Sequence, residues 1–338
     1  MKIDNLIRKS RDAEPFTKQE LVWMLDYEPA SEEAYRIMAE GNRVSREVSQ
    51  GRAEVHAQFA VNLAPCTCDC RFCSFASVNG IFRHHREIGA AEAVRQARRF
   101  EEDGANAVFM MTTANYAFGK FLEIAREVRN ALKAETLMVA NVGDRNLREA
   151  KMLKDAGFQG VYHALRLREG VDTAIAPEKR RKSLRNMQEA GILVGTCVEP
   201  VGPEHTSEEL AEMILFTASL NPAYSGAARR ITIPGGVLAQ AGMISELRMA
   251  QVVAVTRLAV PRSTRGNCTH EPCTIGAAAG ANLFWAEVGA NPRDIMENTE
   301  KGRGGTVEHC RALFREAEWE VLEGPSVFYR RFSETHQR

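Results

Sequence analysis

The sequence has no apolar run approaching the ~20 residues needed to span a bilayer, so no membrane-crossing helix is expected. It has no excess charge either. Lys+Arg 44 balances Asp+Glu 44 for a formal net charge of zero, which removes the electrostatic footprint of a nucleic-acid or membrane-surface binder. The first residues, Met1-Lys-Ile-Asp-Asn-Leu-Ile-Arg-Lys, are charged where a secretory signal would be apolar. Neither an internal repeat nor a low-complexity tract occurs. These absences read as a cytoplasmic protein with neither nucleic acid nor membrane as partner. Eight cysteines in such a chain point to metal or redox chemistry rather than to a disulfide framework.

What is present is alternation. At 338 residues and 44% hydrophobic, the chain can bury the core of one large barrel or two smaller domains. Residues 1–50 read as a helical cap. Thr17, with Glu20 three residues later, is a helix-start signal, and a second helix is expected from Ser31 to about Val48. Candidate strands follow at 55–62, 106–111, 136–142, 159–163, 192–198, 229–233, 262–265 and 282–286. The helices between them end at Gly104, Gly157, Gly191 and Gly280, in the position where glycine closes a helix. Eight strand–helix units argue an α/β fold, a (β/α)8 TIM-type barrel with an N-terminal helical extension. The barrel is placed at 51–323, with a closing helix at 307–323 and a C-terminal tail at 324–338. Lys301-Gly-Arg-Gly-Gly reads as a flexible loop, either a plain linker or a lid.

Four cysteines crowd one loop directly after the first strand, in Cys66-Thr-Cys68-Asp-Cys70-Arg-Phe72-Cys73. Cys66, Cys70 and Cys73 are spaced C-x3-C-x2-C. Short steps let several thiolates face one small inorganic core, which suits an iron–sulfur cluster. Zinc also takes thiolates, but its sites usually pair two C-x2-C units across a longer loop. A chance cluster or a disulfide knot is the third alternative. The loop, with aromatic Phe72 before its last cysteine, resembles the signature of the radical S-adenosylmethionine (SAM) enzymes. That resemblance implies a [4Fe–4S] cluster on Cys66, Cys70 and Cys73, with SAM chelating the open fourth iron and cleaved to a 5′-deoxyadenosyl radical.

Other stretches extend the resemblance to the biotin-synthase-like group of that superfamily, over about residues 30–300. Gly191-Ile-Leu-Val-Gly195-Thr-Cys197-Val-Glu199 resembles the fifth-strand segment that packs on adenine, which implies Gly195 and Glu199 at SAM, with Phe72 beside the nucleoside. Thr112 and Thr113 stand where the family has a Gly-Gly-Glu-type turn, and their hydroxyls are expected at the SAM amino group. Arg166, Arg168 and Glu169 resemble the charged residues that hold the SAM amino and carboxylate groups. Cys197, Cys268 and Cys273 fall at or near strands 5 and 7, where inward cysteines in this family suggest a second, auxiliary iron–sulfur cluster; the alternative is a small core residue and two incidental ones. His270 is a candidate fourth ligand. Cys310 reads as core. The implied activity is hydrogen abstraction from an unactivated C–H bond, with sulfur insertion in cofactor biosynthesis on the pattern of lipoyl synthase as the first reading. A single-cluster rearrangement or metallocofactor-assembly enzyme is the second, and a non-catalytic iron–sulfur or zinc scaffold the third. The implied partners are a small-molecule or carrier-protein-bound substrate, an electron donor such as ferredoxin or flavodoxin, and a second radical SAM subunit. Asn115, Tyr116, Asn141, His163, Arg230 and Trp285 are polar positions expected near a substrate.

Overall fold

The computed structural model describes residues 3–63, 65–289 and 291–329. Eight strands run in one direction: β1 (Arg52–Ala60), β2 (Ala107–Met111), β3 (Leu137–Asn141), β4 (Gly160–Tyr162), β5 (Leu193–Gly195), β6 (Tyr224–Arg229), β7 (Gly266–Cys268) and β8 (Leu283–Val288). Each pairs in parallel with the next. β8 returns to β1, with Glu54 opposite Leu283, so the sheet closes on itself. A helix follows every strand. The (β/α)8 barrel read from the alternation is therefore the observed architecture. Gly104, Gly157, Gly191 and Gly280 all have positive φ at helix ends, where an L side chain would be strained.

Two strands lie elsewhere than expected. The sixth is Tyr224–Arg229, not 229–233, and the seventh is Gly266–Cys268, not 262–265. β6 reads Tyr-Ser-Gly-Ala-Ala-Arg and carries no β-branched residue, whereas Ile231-Thr-Ile233 carries the usual strand signal. Small residues are required inside the pair because the two backbones crowd each other. Gly226 has φ +136°, and a Cβ there would run into the Cys268 backbone. The buried Ile231 and Ile233 belong to the loop beyond the strand. The expected closing helix also ends early, at Glu316; Glu320–Val321 then pairs with the start of β1.

Three helices, Ile3–Arg11, Lys18–Asp26 and Glu32–Ser49, precede β1. Thr17 and Glu20 form the expected capping box, and Ser31 caps the third helix. That third helix packs on Glu246–Ala259, the helix between β6 and β7. The approach is close enough that a Cβ on Gly41 would sit 2.8 Å from the Ala254 Cβ. Ser45 Oγ donates to the Gly280 carbonyl at 2.6 Å and fixes the register.

Alternation along β1 sorts the core into two layers. Val55, Ala57 and Phe59 face the helices. Within the barrel, His56 meets the rings of Phe109, Tyr224, Trp285, Phe328 and Tyr329, with centroids 5.4–6.2 Å apart. Phe328 and Tyr329 come from the expected C-terminal tail, of which residues 330–338 lie outside the described residues. Glu54 anchors this segment, accepting from Val327 N at 2.7 Å and from His56 Nε2 at 2.8 Å. A Cβ on Gly160 would collide with Tyr329. Aromatic side chains thus fill the N-terminal end of the barrel and leave its other end open. The glycine-rich loop at 301–305 is folded down beside that open end. Arg303 N donates to Asp294 Oδ2 at 2.7 Å, and Glu287 N donates to the Gly305 carbonyl at 3.0 Å.

Candidate active site

A cleft opens at the C-terminal ends of the strands, with about 1240 Å³ of protein-free space, solvent mouth included. That is room for more than one small ligand. Parallel strands all deliver their last inward side chain to this face, which is why barrel enzymes build sites there.

One wall is the cysteine loop. Cys66, Cys68, Cys70, Phe72 and Cys73 all line the cleft. The loop is held from several sides. Cys66 N donates to the Phe75 carbonyl at 2.7 Å, and Asn79 Nδ2 donates to the Cys73 carbonyl at 2.7 Å. Ser74 N reaches the Pro292 carbonyl at 2.8 Å, and Ala174 N reaches the Cys68 carbonyl at 2.8 Å. A hydrogen bond from Cys68 draws the Cys66 thiol down to about 6, against the effect of burial. Burial pushes Cys70 up to about 12, and Cys73 upward as well.

The floor is a chain of polar side chains from the ends of β1, β3, β4, β5, β7 and β8. Asn141 Nδ2 donates to Gln58 Oε1 at 2.8 Å, and Gln58 Nε2 donates to Glu287 Oε1 at 3.2 Å. Glu287 accepts from Arg293 at 2.6 Å, and Arg293 also reaches His270 Nδ1 at 3.2 Å. His270 Nε2 lies 4.0 Å from Glu199. Glu199 in turn pairs with Arg166 at 3.2 Å and accepts from the Tyr162 hydroxyl. Burial opposes ionisation of Glu199, but Arg166, then His270, the Tyr162 hydrogen bond and Arg293 outweigh it and hold the group below the usual carboxylate range. At Glu287 burial wins over Arg293 and the group is pushed up. Their surroundings thus push the two floor carboxylates in opposite directions.

The expected site residues fall into two sets. Thr112, Thr113 and Glu199 line the cleft with Phe72 and the loop cysteines. Thr113 Oγ1 is occupied by Asn62 Nδ2 at 2.8 Å, while Thr112 Oγ1 is buried without a partner. Arg168, Glu169 and Gly195 do not face the cleft. Arg168 bonds Glu209 at 3.0 Å and the Glu204 carbonyl at 2.8 Å. Glu169 turns inward to Arg166 N, Thr173 Oγ1 and Arg180. Gly195 lacks a side chain for the sake of the Tyr224 ring, which a Cβ would strike. Cys197 and Cys268 are fully buried with sulfurs 3.6 Å apart, and His270 joins them; Cys273 stays apart as the residue capping a short helix, Thr274–Ala278. Of the polar positions expected near a substrate, Asn141, His163, Arg230 and Trp285 line the cleft. Asn115 and Tyr116 line a smaller pocket with His85, Glu87 and Lys120. Sequence reading missed Gln58, Tyr162, Glu287 and Arg293. The period-2 pattern Leu283, Trp285, Glu287 along β8 carried a signal for the third.

Residues 65–217 match the family model described as the radical SAM superfamily. The chain carries a radical SAM domain. Among curated relatives it is similar, at low identity, to biotin synthases. Biotin synthase of Halorhodospira halophila is 26% identical over 257 residues, spanning 72% of this chain and 78% of that protein. Biotin synthase of Brucella ovis is 26% identical over 269 residues, spanning 73% and 81%. Among solved structures, the FeFe-hydrogenase maturase HydG from Carboxydothermus hydrogenoformans superposes with TM-score 0.78 at 17% identity, covering 97% of this chain and 81% of that one. Methylornithine synthase (PylB) superposes with TM-score 0.78 at 14% identity, covering 96% and 98%. These two likenesses show the barrel fold. The superfamily works with a [4Fe–4S] cluster and SAM, and the donor set here suits that pair. Several thiols on one pinned loop face the cleft, and in the same cleft the buried Thr112 hydroxyl lacks a partner that a polar ligand can supply.

Proposed function

We propose that this radical SAM enzyme abstracts hydrogen from an unactivated C–H bond of a substrate bound on the polar floor, and that sulfur is then inserted, as in lipoyl synthesis. Cys66, Cys70 and Cys73 would hold the cluster, which with SAM would supply a 5′-deoxyadenosyl radical. Phe72, Thr112 and Glu199 face SAM, and the aromatic fill beneath the floor keeps water from reaching the radical from below. The observation that carries the reading is the loop of thiols set at the mouth of a barrel whose floor holds ordered polar groups. Sulfur handling is supported by the nearness of the Cys197–Cys268 pair to the floor residue His270, although neither thiol lines the cleft. The substrate is a small molecule or one borne on a carrier protein. A ferredoxin or flavodoxin gives the electron, and a second radical SAM subunit is a further partner. The separation of Cys273 from Cys197 and Cys268 favours a second reading, rearrangement or metallocofactor assembly with a single cluster.

The test is anaerobic reconstitution followed by reduction with SAM. The wild-type chain is expected to form 5′-deoxyadenosine, and Cys70→Ala to lose at least about 1000-fold of that rate, equivalent to about 4 kcal/mol of barrel-held barrier lowering. Undiminished 5′-deoxyadenosine in Cys70→Ala would refute the cluster assignment. Reconstitution with isotopically labelled sulfide separates the two readings, since only sulfur insertion carries label into product.

A further inference from the structure

The buried thiols on the far side of the floor meet the spacing of a single ion. Cys197 follows β5, Cys268 ends β7, and both are 0% exposed. Their sulfurs are 3.6 Å apart. A disulfide needs about 2.05 Å, and both cysteines are free. One ligand atom each from Cys197, Cys268 and His270 lies within 4.8 Å of the other two. Thiolates on different irons of a cluster stand further apart than two on one ion. Two thiolates on one tetrahedral zinc, at about 2.3 Å each, sit about 3.8 Å from each other. Among the described residues this is the one group of three such side chains that meets the spacing of a single ion.

The surroundings support that geometry. The His270 ring stacks on Trp285 at 4.6 Å and lies 5.5 Å from Tyr162, so its orientation is fixed before any ion arrives. Its Nε2 is buried and has no hydrogen-bond partner, and the buried Glu199 carboxylate is 4.0 Å away. Buried polar atoms left unpaired are costly, and an ion would satisfy this one. Coordination through Nε2 puts the ring proton on Nδ1, so Arg293 gives up its 3.2 Å contact with that nitrogen and is held by its 2.6 Å contact with Glu287. Charge also balances. A divalent ion entering displaces two thiol protons, and the ion with two thiolates is neutral, so no net charge is added to a buried place.

We propose that Cys197, Cys268 and His270 bind one thiophilic divalent cation, of the zinc class, under the cleft floor. Three protein ligands leave a fourth position, the pattern of a catalytic rather than a structural zinc. A soft donor, a thiolate or sulfide, is the ligand class that position would take. The site does not depend on SAM cleavage, so it stands or falls separately from the proposed reaction.

The test uses the full-length chain with Cys66, Cys68, Cys70 and Cys73 changed to Ala, which removes the loop thiols. Cobalt(II), added anaerobically as a zinc surrogate, is expected to bind once per chain with thiolate charge-transfer absorption, and zinc is expected to displace it. His270→Ala and Cys197→Ser in that background are expected to weaken binding by more than the roughly 10–100-fold typical of an outer-shell change, while Cys273→Ala leaves it unchanged. The same comparison in the cluster-loaded enzyme reads one zinc per chain in wild type, lost in His270→Ala with iron content unchanged. Absence of the thiolate band, indifference to His270→Ala, or uptake of several irons with labile sulfide at these residues would overturn the single-ion site.

Discussion

Glu199 and Glu287 sit on the same floor, yet their surroundings push them in opposite directions, and behind them a second buried cluster shows the same control by neighbours. His163 lies against Asp144 at 3.1 Å and Arg180 at 3.2 Å. Burial first, then Arg180, lowers His163 to about 4 despite the Asp144 hydrogen bond. In the unfolded chain it titrates near 6.5. Between those values the unfolded chain binds a proton that the folded chain refuses, so stability falls as pH drops from about 6.5 to 4. The effect of this one group is on the order of 2 kcal/mol. Chemical denaturation at pH 7 and pH 4.5 should show the midpoint falling less in His163→Gln than in wild type. His270, lowered to about 4 mainly by burial, keeps part of the slope in that variant. Equal slopes would mean that His163 is already charged in the folded protein.

At the scale of elements, the crossing of β6 and β7 is where sequence reading failed and where the structure is least tolerant. β1, β2 and β3 announce themselves through apolar runs, and Gly104, Gly157, Gly191 and Gly280 mark where β2, β4, β5 and β8 begin. β6 announces nothing, because Gly226 is kept small by the Cys268 backbone, while its own Tyr224 keeps Gly195 and Gly266 of the neighbouring strands small. The same logic explains the site. The cysteine loop was legible because its chemistry lies in adjacent residues. The floor was not, because Gln58, Glu287 and Arg293 acquire meaning only when closure brings β8 beside β1. Gly195 shows a second demand on smallness, since its missing Cβ makes room for the Tyr224 ring. Gly226→Ala should therefore cost on the order of 3 kcal/mol, combining a positive-φ penalty with a backbone collision. A lowered denaturation midpoint, accompanied by altered reactivity of the Cys197–Cys268 pair toward thiol reagents, is the expected readout; a neutral result would mean the two strands can separate freely.

For the whole molecule, the aromatic fill divides the barrel into a dry end and a working end. Phe328, 5% exposed, contacts His56 and lies against Gly266. Phe328→Ala should remove roughly 3–4 kcal/mol of stability through lost burial and a residual cavity, measured by denaturant unfolding, with the cysteine loop at the other end still able to accept iron. Concurrent loss of iron uptake in a folded variant would show that the two ends are not independent. The position of this fill in the chain has a further bearing, on how the protein is made. β1 finds β8 and Glu320–Val321 as partners only after most of the polypeptide has been synthesised, and its Glu54 finds Val327 later still. Such distant pairings form slowly. A nascent chain leaving the ribosome therefore displays β1 and the thiols behind it for nearly the whole period of translation, and the interval before Tyr329 emerges is when those cysteines are most open to chaperones, to oxidants and to the machinery that delivers iron.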